Sequence, residues 1–213
     1  MRICFIHQNM PAQFRHLIAA LLERGDEVVV IGEQPALERW KARHPRLHQF
    51  GYAPAAAGPA AEFERMAARG RTVAKALRAM LERGLRPDLL VVHPGWGEMM
   101  FVRSELPDTP MLGYCEFFYR DRGSDVDFDP EYPAGDGVRL TLQLRRAVQL
   151  LALNDMDAGL CPTAWQRDQH PAEHLPKLEV LHDGIDTAIV RPDPAAEVTV
   201  GGHVLRAGDP VVT

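Results

Sequence analysis

The sequence holds only three cysteines, Cys4, Cys115 and Cys161, spread over 213 residues without metal-ligand spacing. Each lies in or beside an apolar run, so they read as buried, reduced thiols rather than as a disulfide framework. No stretch approaches the roughly 18 apolar residues of a membrane-spanning helix. The opening MRICFIHQNMP has too short an apolar core for a signal peptide. These absences point to a soluble, cytoplasmic protein. An excess of positive charge is missing as well: 24 Lys and Arg stand against 29 Asp and Glu, a net charge of −5. Nucleic acid is therefore not an expected partner, since it calls for clustered basic charge. The arginines of LRRAVQL are balanced by acids elsewhere. The connection after the first apolar run, HQNMPAQFRH, contains no glycine, so the dinucleotide-binding fingerprint is absent.

What is present is an alternation of short apolar runs and helical periodicity in a chain that is 46% hydrophobic. RICFI (2–6) reads as a strand. PAQFRHLIAALLERG (11–25) carries apolar residues at helical spacing, with Pro11 in the first turn and Gly25 as its stop. EVVVIG (27–32) is a second strand, and strand–helix–strand within about 30 residues is a βαβ unit. The pattern continues through strands at 47–52, 87–92, 109–115, 158–162 and 177–184. Between them come a long helix over 59–84, interrupted near Gly70, a short one over 97–106, one over 137–156, and one from Thr163. Continuous apolar strands suit a parallel sheet covered on both faces. The expected fold class is α/β, a doubly wound, Rossmann-like, mostly parallel sheet over residues 1–192. Residues 193–213 alternate around GG and AGDP turn signals and read as a linker and small hairpin, and the closing VVT reads as the start of a further strand.

In such sheets ligands sit at the carboxyl ends of the strands, and four polar connections, HQNMP, HPGWGE, YCEFFY and HDGID, fall there. HQNMP offers His7, Gln8 and Asn9, with neutral amides suited to sugar hydroxyls; the alternative is a turn in which Asn9 caps the following helix. HPGWGE combines the proton-capable His93 and Glu98 with two glycines, Gly95 and Gly97, that let backbone approach a ligand, and with Trp96, a flat face for a sugar ring. The competing reading is a Pro94-Gly95 turn, a core Trp96, and Glu98 as a first-turn carboxylate favoured by the helix dipole. YCEFFYRDRGSDVDFDPEYPAGDG places Glu116 directly after a buried strand and Tyr119 at the start of a long acidic loop. Asp125, Asp127 and Asp129 alternate as in a calcium loop, yet Pro130 stands where that loop needs glycine and no glutamate closes it, so no metal is expected. Thr163 either caps a helix or contributes to the same edge.

These stretches share a further property. MRICFIHQNMPAQFRHLIAALLERGDEVVVIG, RPDLLVVHPGWGE, LGYCEFFY and VLHDGIDTAIVRP, in this order, resemble the N-terminal domain of retaining glycosyltransferases of family 4. The likeness is greatest to a bacterial subgroup that opens on an HQN.P.QFRHL signature. The resemblance covers nearly the whole chain. It implies a GT-B architecture of two Rossmann-like domains: an N-terminal one holding the sugar acceptor and a C-terminal donor domain, absent here, gripping the nucleotide-sugar. It implies no cofactor, the nucleotide-sugar being a co-substrate. Carried over by position, Glu116 and His93 are the catalytic candidates, and His7, Gln8, Asn9, Gly95, Trp96, Glu98, Tyr119 and Thr163 the substrate-binding ones. Two departures stand out. Ala12-Gln13 occupies the place where many relatives have a glycine pair, and Glu116 stands where many have a histidine. The 213 residues alone are then expected to lack transferase activity.

Two other classes are weighed beside this one: a non-catalytic α/β ligand-binding or regulatory module, and a flavodoxin-like or nucleotide-dependent oxidoreductase, which the missing glycine-rich loop argues against. Lipid, polysaccharide and small-molecule acceptors all fit the sequence. LIAALLERG is amphipathic, which leaves peripheral membrane contact open beside plain core packing.

Overall fold

The first residues of the chain set the plan. β1 (Arg2–Ile6) sends Ile3 and Phe5 to one face and Cys4 and Ile6 to the other, and all four are buried. A strand buried on both faces has no polar alternation, which is why its sequence reads as one apolar run. The computed structural model describes residues 1–54 and 61–210. After β1 come α1 (Arg15–Arg24), β2 (Glu27–Glu33), α2 (Gln34–Trp40), β3 (Leu47–Tyr52), α3 (Ala61–Glu82) and β4 (Leu89–Val92). These are followed by α4 (Val102–Glu105), β5 (Met111–Tyr114), α5 (Asp136–Asp155), β6 (Ala158–Cys161), α6 (Ala164–Asp168) and β7 (Leu178–Val180).

β1 to β7 form one parallel sheet in the order β3-β2-β1-β4-β5-β6-β7. This is the expected doubly wound α/β arrangement. One face packs Phe14, Ile18 and Leu21 of the α1 region and Leu37 of α2. The other packs Val73, Leu77 and Met80 of α3 and Ala152 and Leu153 of α5. The chain starts at β1, winds outward through β2 and β3, then returns to build β4 on the other flank. The order therefore reverses between β1 and β4, and in such sheets the crevice beyond the strand ends opens at that switch point.

Residues 1–182 and 183–213 are separate compact units. The second contains an antiparallel hairpin, β8 (Glu197–Val200) with β9 (His203–Arg206), as its turn signals imply. The strand expected from VVT lies outside the described residues, as do positions 59–60 of the expected long helix. Among the described residues no helix is long and apolar enough to cross a membrane.

Two local expectations need correction, and one helix is new. Asn9 does not cap α1: its carbonyl accepts the Ala12 N–H at 3.0 Å, a 3-10 turn over Ala12–Phe14 intervenes, and α1 begins at Arg15 without a side-chain cap. Gly70 does not interrupt α3, which runs unbroken; the glycine is there for space, because a Cβ on it would stand 2.7 Å from the Gly97 carbonyl oxygen. The helix α2 has no counterpart in the sequence reading. It is barely two turns long and buries only Ala36 and Leu37, too few repeats for a periodic signal.

Candidate functional site

The switch point brings two histidines together. His7 follows β1 and His93 follows β4; their rings meet edge to face at 5.4 Å. Both are buried, at 6% and 5% exposure. Each is held by the same local device. The N–H of Asn9 donates to Nδ1 of His7 at 2.9 Å, and the N–H of Gly95 donates to Nδ1 of His93 at 3.0 Å. With Nδ1 used as an acceptor, the proton of each neutral ring sits on Nε2. His93 then points Nε2 at Oε2 of Glu116, 3.3 Å away, just beyond β5. The His93 hydrogen bond outweighs partial burial and holds the Glu116 carboxyl below the usual glutamate range. Burial, reinforced by His93, pushes His7 the other way, down to about 3, so its ring is uncharged near neutral pH.

Aromatic rings wall this centre. Trp96 stacks on His93 at 5.9 Å with an interplanar angle of 19°. Phe117 and Tyr119 meet at 5.3 Å, and Trp165 approaches Phe117 at 6.1 Å. The resulting pocket, about 270 Å³, is lined by His93, Gly95, Trp96, Glu116 and Tyr119, together with Phe117, Asp125 and Gln149. Gln149 fixes the wall in place. It is 2% exposed, accepts the Tyr119 N–H at 3.0 Å and donates to the Phe117 carbonyl at 2.7 Å, tying the extended 117–119 stretch to α5. Sequence reasoning passed over Gln149, although a lone amide on the apolar face of VQLLAL is a detectable signal.

The other candidates fall elsewhere. Glu98 is 0% exposed and does not face the pocket. Its Oε1 accepts the Gln8 N–H at 3.1 Å, pinning the loop after β1 to the loop after β4, while the Glu33 N–H donates to the Gln8 carbonyl at 3.1 Å. Burial raises the Glu98 carboxyl, against the nearby Arg69. Arg69 in turn donates to the Trp96 carbonyl at 2.5 Å and lies 3.6 Å from Glu33. Glu98 Oε2, Arg69 Nε, Tyr52 Oη and Gln13 Nε2 are buried without a hydrogen-bond partner. Gln8 is half-buried and Asn9 exposed at the crevice edge. Thr163 caps α6, accepting the Gln166 N–H at 3.2 Å. Gly97 takes φ +97° where the loop crosses α3. Asp127 accepts the Ala134 N–H and pairs with Arg139, and Asp129 accepts the Glu131 N–H. Among the described residues no three His, Cys, Asp or Glu side chains are gathered to hold a metal.

A seven-stranded parallel sheet with its strand order reversing between β1 and β4 is a Rossmann-like half-domain of the GT-B kind. Solved structures of that kind share the fold. UDP-GlcNAc 2-epimerase from Neisseria meningitidis, bound to UDP-GlcNAc, aligns with a TM-score of 0.50 at 11% identity, covering 84% of this chain and 45% of that one. The UDP-N-acetylglucosamine 2-epimerase of Rickettsia bellii gives 0.50 at 14%, covering 84% and 44%. Os79 from O. sativa, in complex with UDP and deoxynivalenol-3-glucoside, gives 0.56 at 12%, covering 88% and 53%. The chain thus spans about half the length of these structures. No curated protein matches the sequence. The sequence profile of the Glycosyl transferase family 4 group matches residues 24–190, and the chain belongs to that family.

Proposed function

We propose that this chain is the acceptor-binding half of a retaining, hexosyl-transferring enzyme whose donor is a nucleotide-sugar. The observation that carries the reading is the pair of Glu116 and His93 at the sheet's switch point, opening into an aromatic-walled pocket. Sugar transfer develops positive charge on the anomeric carbon, and an ionised carboxylate beside it lowers that barrier. Glu116 is ionised and more than half exposed toward the pocket, with His93 donating to it from behind. Trp96 and Tyr119 supply the flat faces on which a sugar acceptor stacks. Structures of the same fold hold UDP or UDP-GlcNAc, which supports a nucleotide-sugar as donor. The three free, buried thiols support a reducing compartment and so a cytoplasmic setting.

In the full-length enzyme, Glu116→Gln should lower kcat by about a hundredfold or more while leaving acceptor KM within a few-fold, because the amide keeps the shape and loses the charge. Steady-state kinetics with a panel of nucleotide-sugars reads both. Unchanged kcat removes Glu116 from the chemistry. Acceptor binding without turnover in the unaltered enzyme, whatever the donor, would make the domain a binding module instead.

A further inference from the structure

The extended stretch from Glu116 to Arg120 has two sides. Phe117 and Tyr119 line the pocket already described, whereas Phe118 and Arg120 line a second hollow of about 580 Å³. Its lining includes three arginines, Arg120, Arg122 and Arg146, two aspartates, Asp121 and Asp168, and the buried Gln169 and His170.

The charges do not cancel locally. Asp168 is paired with Arg167 at 2.8 Å, a residue outside the lining. Asp121 meets Arg146 only at 3.5 Å and also takes a long hydrogen bond from Gln143, at 3.4 Å. Arg120 spends one N–H, on the Gln169 side-chain oxygen at 3.4 Å. Arg122 forms no hydrogen bond or ion pair among the described residues, although its charge reaches Asp127. Arg146 donates to the Gln143 side-chain oxygen at 3.5 Å, and its Nε is buried with no acceptor. A guanidinium carries five N–H donors in a fixed fork that matches planar carboxylate and tetrahedral phosphate alike. Most of the donors of Arg120 and Arg122 are unspent, and both residues line one cavity large enough for a monosaccharide.

We infer that this hollow binds a small ligand bearing an oxyanion, a sugar phosphate or a sugar acid, with Arg120 and Arg122 as its principal anchors. The site is separate from the Glu116 pocket and stands or falls independently of the transfer reading, because its readout is binding. The test is calorimetric titration of the 213-residue protein with glucose 6-phosphate, glucuronate and uncharged glucose. The expected result is saturable binding of one or both anions, weakened at least tenfold in Arg120→Ala/Arg122→Ala and unchanged in Arg15→Ala, which removes an exposed arginine on α1. Both anchors are exposed, so the double variant should keep its fold, checked by its circular dichroism. Binding of the phosphate alone assigns a phosphoryl ligand, binding of glucuronate alone a carboxylate one, and either upholds the site. Absence of binding by both anions, equal binding of glucose, or an unweakened double variant overturns it.

Discussion

His93 and His7 are donors by construction. Each ring accepts a backbone N–H two residues downstream on Nδ1, so the only proton either can share is on Nε2, and neither neutral ring offers a lone pair toward the crevice. His93 therefore orients Glu116 rather than abstracting a proton. Glutamine can place an amide N–H near the same point, so His93→Gln should retain activity within about tenfold, whereas His93→Ala should fall to the level of Glu116→Gln. A glutamine variant as inactive as the alanine one would show that His93 does more than orient Glu116. His7 makes a second prediction, in stability. Its pKa of about 3 in the folded chain lies below its ordinary 6.5, so between those values the unfolded chain holds a proton that the folded one does not. Stability from this group is complete above about pH 6.5 and is lost as pH falls toward 3, by at most about 1.4 kcal/mol per pH unit. His170, also lowered by burial, acts in the same direction, and Glu98, raised by burial, opposes it. Urea unfolding of His7→Gln from pH 7 to 4 should show a flatter decline than the unaltered protein; an equal slope in both would show that His7 does not carry the proton.

The loop from His93 to Glu98 works as an element only because α3 lets it pass. Gly97 lies in the left-handed region at φ +97°, and a Cβ there would run into the backbone of Met66. Gly97→Ala should cost about 3 kcal/mol or more, while Gly84→Ala, at φ +72° with nothing within 4 Å, should cost about 1 kcal/mol of backbone strain alone. Chemical denaturation compares them; equal losses would mean that the crossing with α3 is not tight. This crossing marks the limit of what the sequence discloses. The apolar runs announce β1, β2 and β4, since burial on both faces leaves a one-dimensional trace. HPGWGE stands out by composition, and His93, Gly95 and Trp96 do line the pocket. What composition cannot tell is which of its side chains turns inward. Glu98 looked as available as His93, yet it is sealed and spends its carboxylate on the Gln8 N–H, a contact between residues 90 apart in the chain. Gln149 and Asp125 reach the pocket from α5 and the loop before it, and nothing local to either points across to β4.

At the scale of the whole molecule, the sheet gathers acids and aromatics at the pocket but no cation. Among its lining residues are Glu116 and Asp125 and no lysine or arginine. Arg69, near the histidines, is committed to the Trp96 carbonyl and to Glu33, and Arg145 to Glu62 and the Tyr119 ring. The three arginines of the second hollow lie across the 116–120 stretch. A departing nucleoside diphosphate carries developing negative charge that must be met by cations or by aimed N–H groups, and this pocket supplies neither in number. The 213-residue chain should therefore bind a sugar acceptor without transferring to it. Incubated with radiolabelled nucleotide-sugars and a glycan panel, it is expected to give no product above buffer. Robust transfer by the chain alone would show that the diphosphate finds its cations among these residues, and would overturn the assignment of this sheet to the acceptor's side of the reaction.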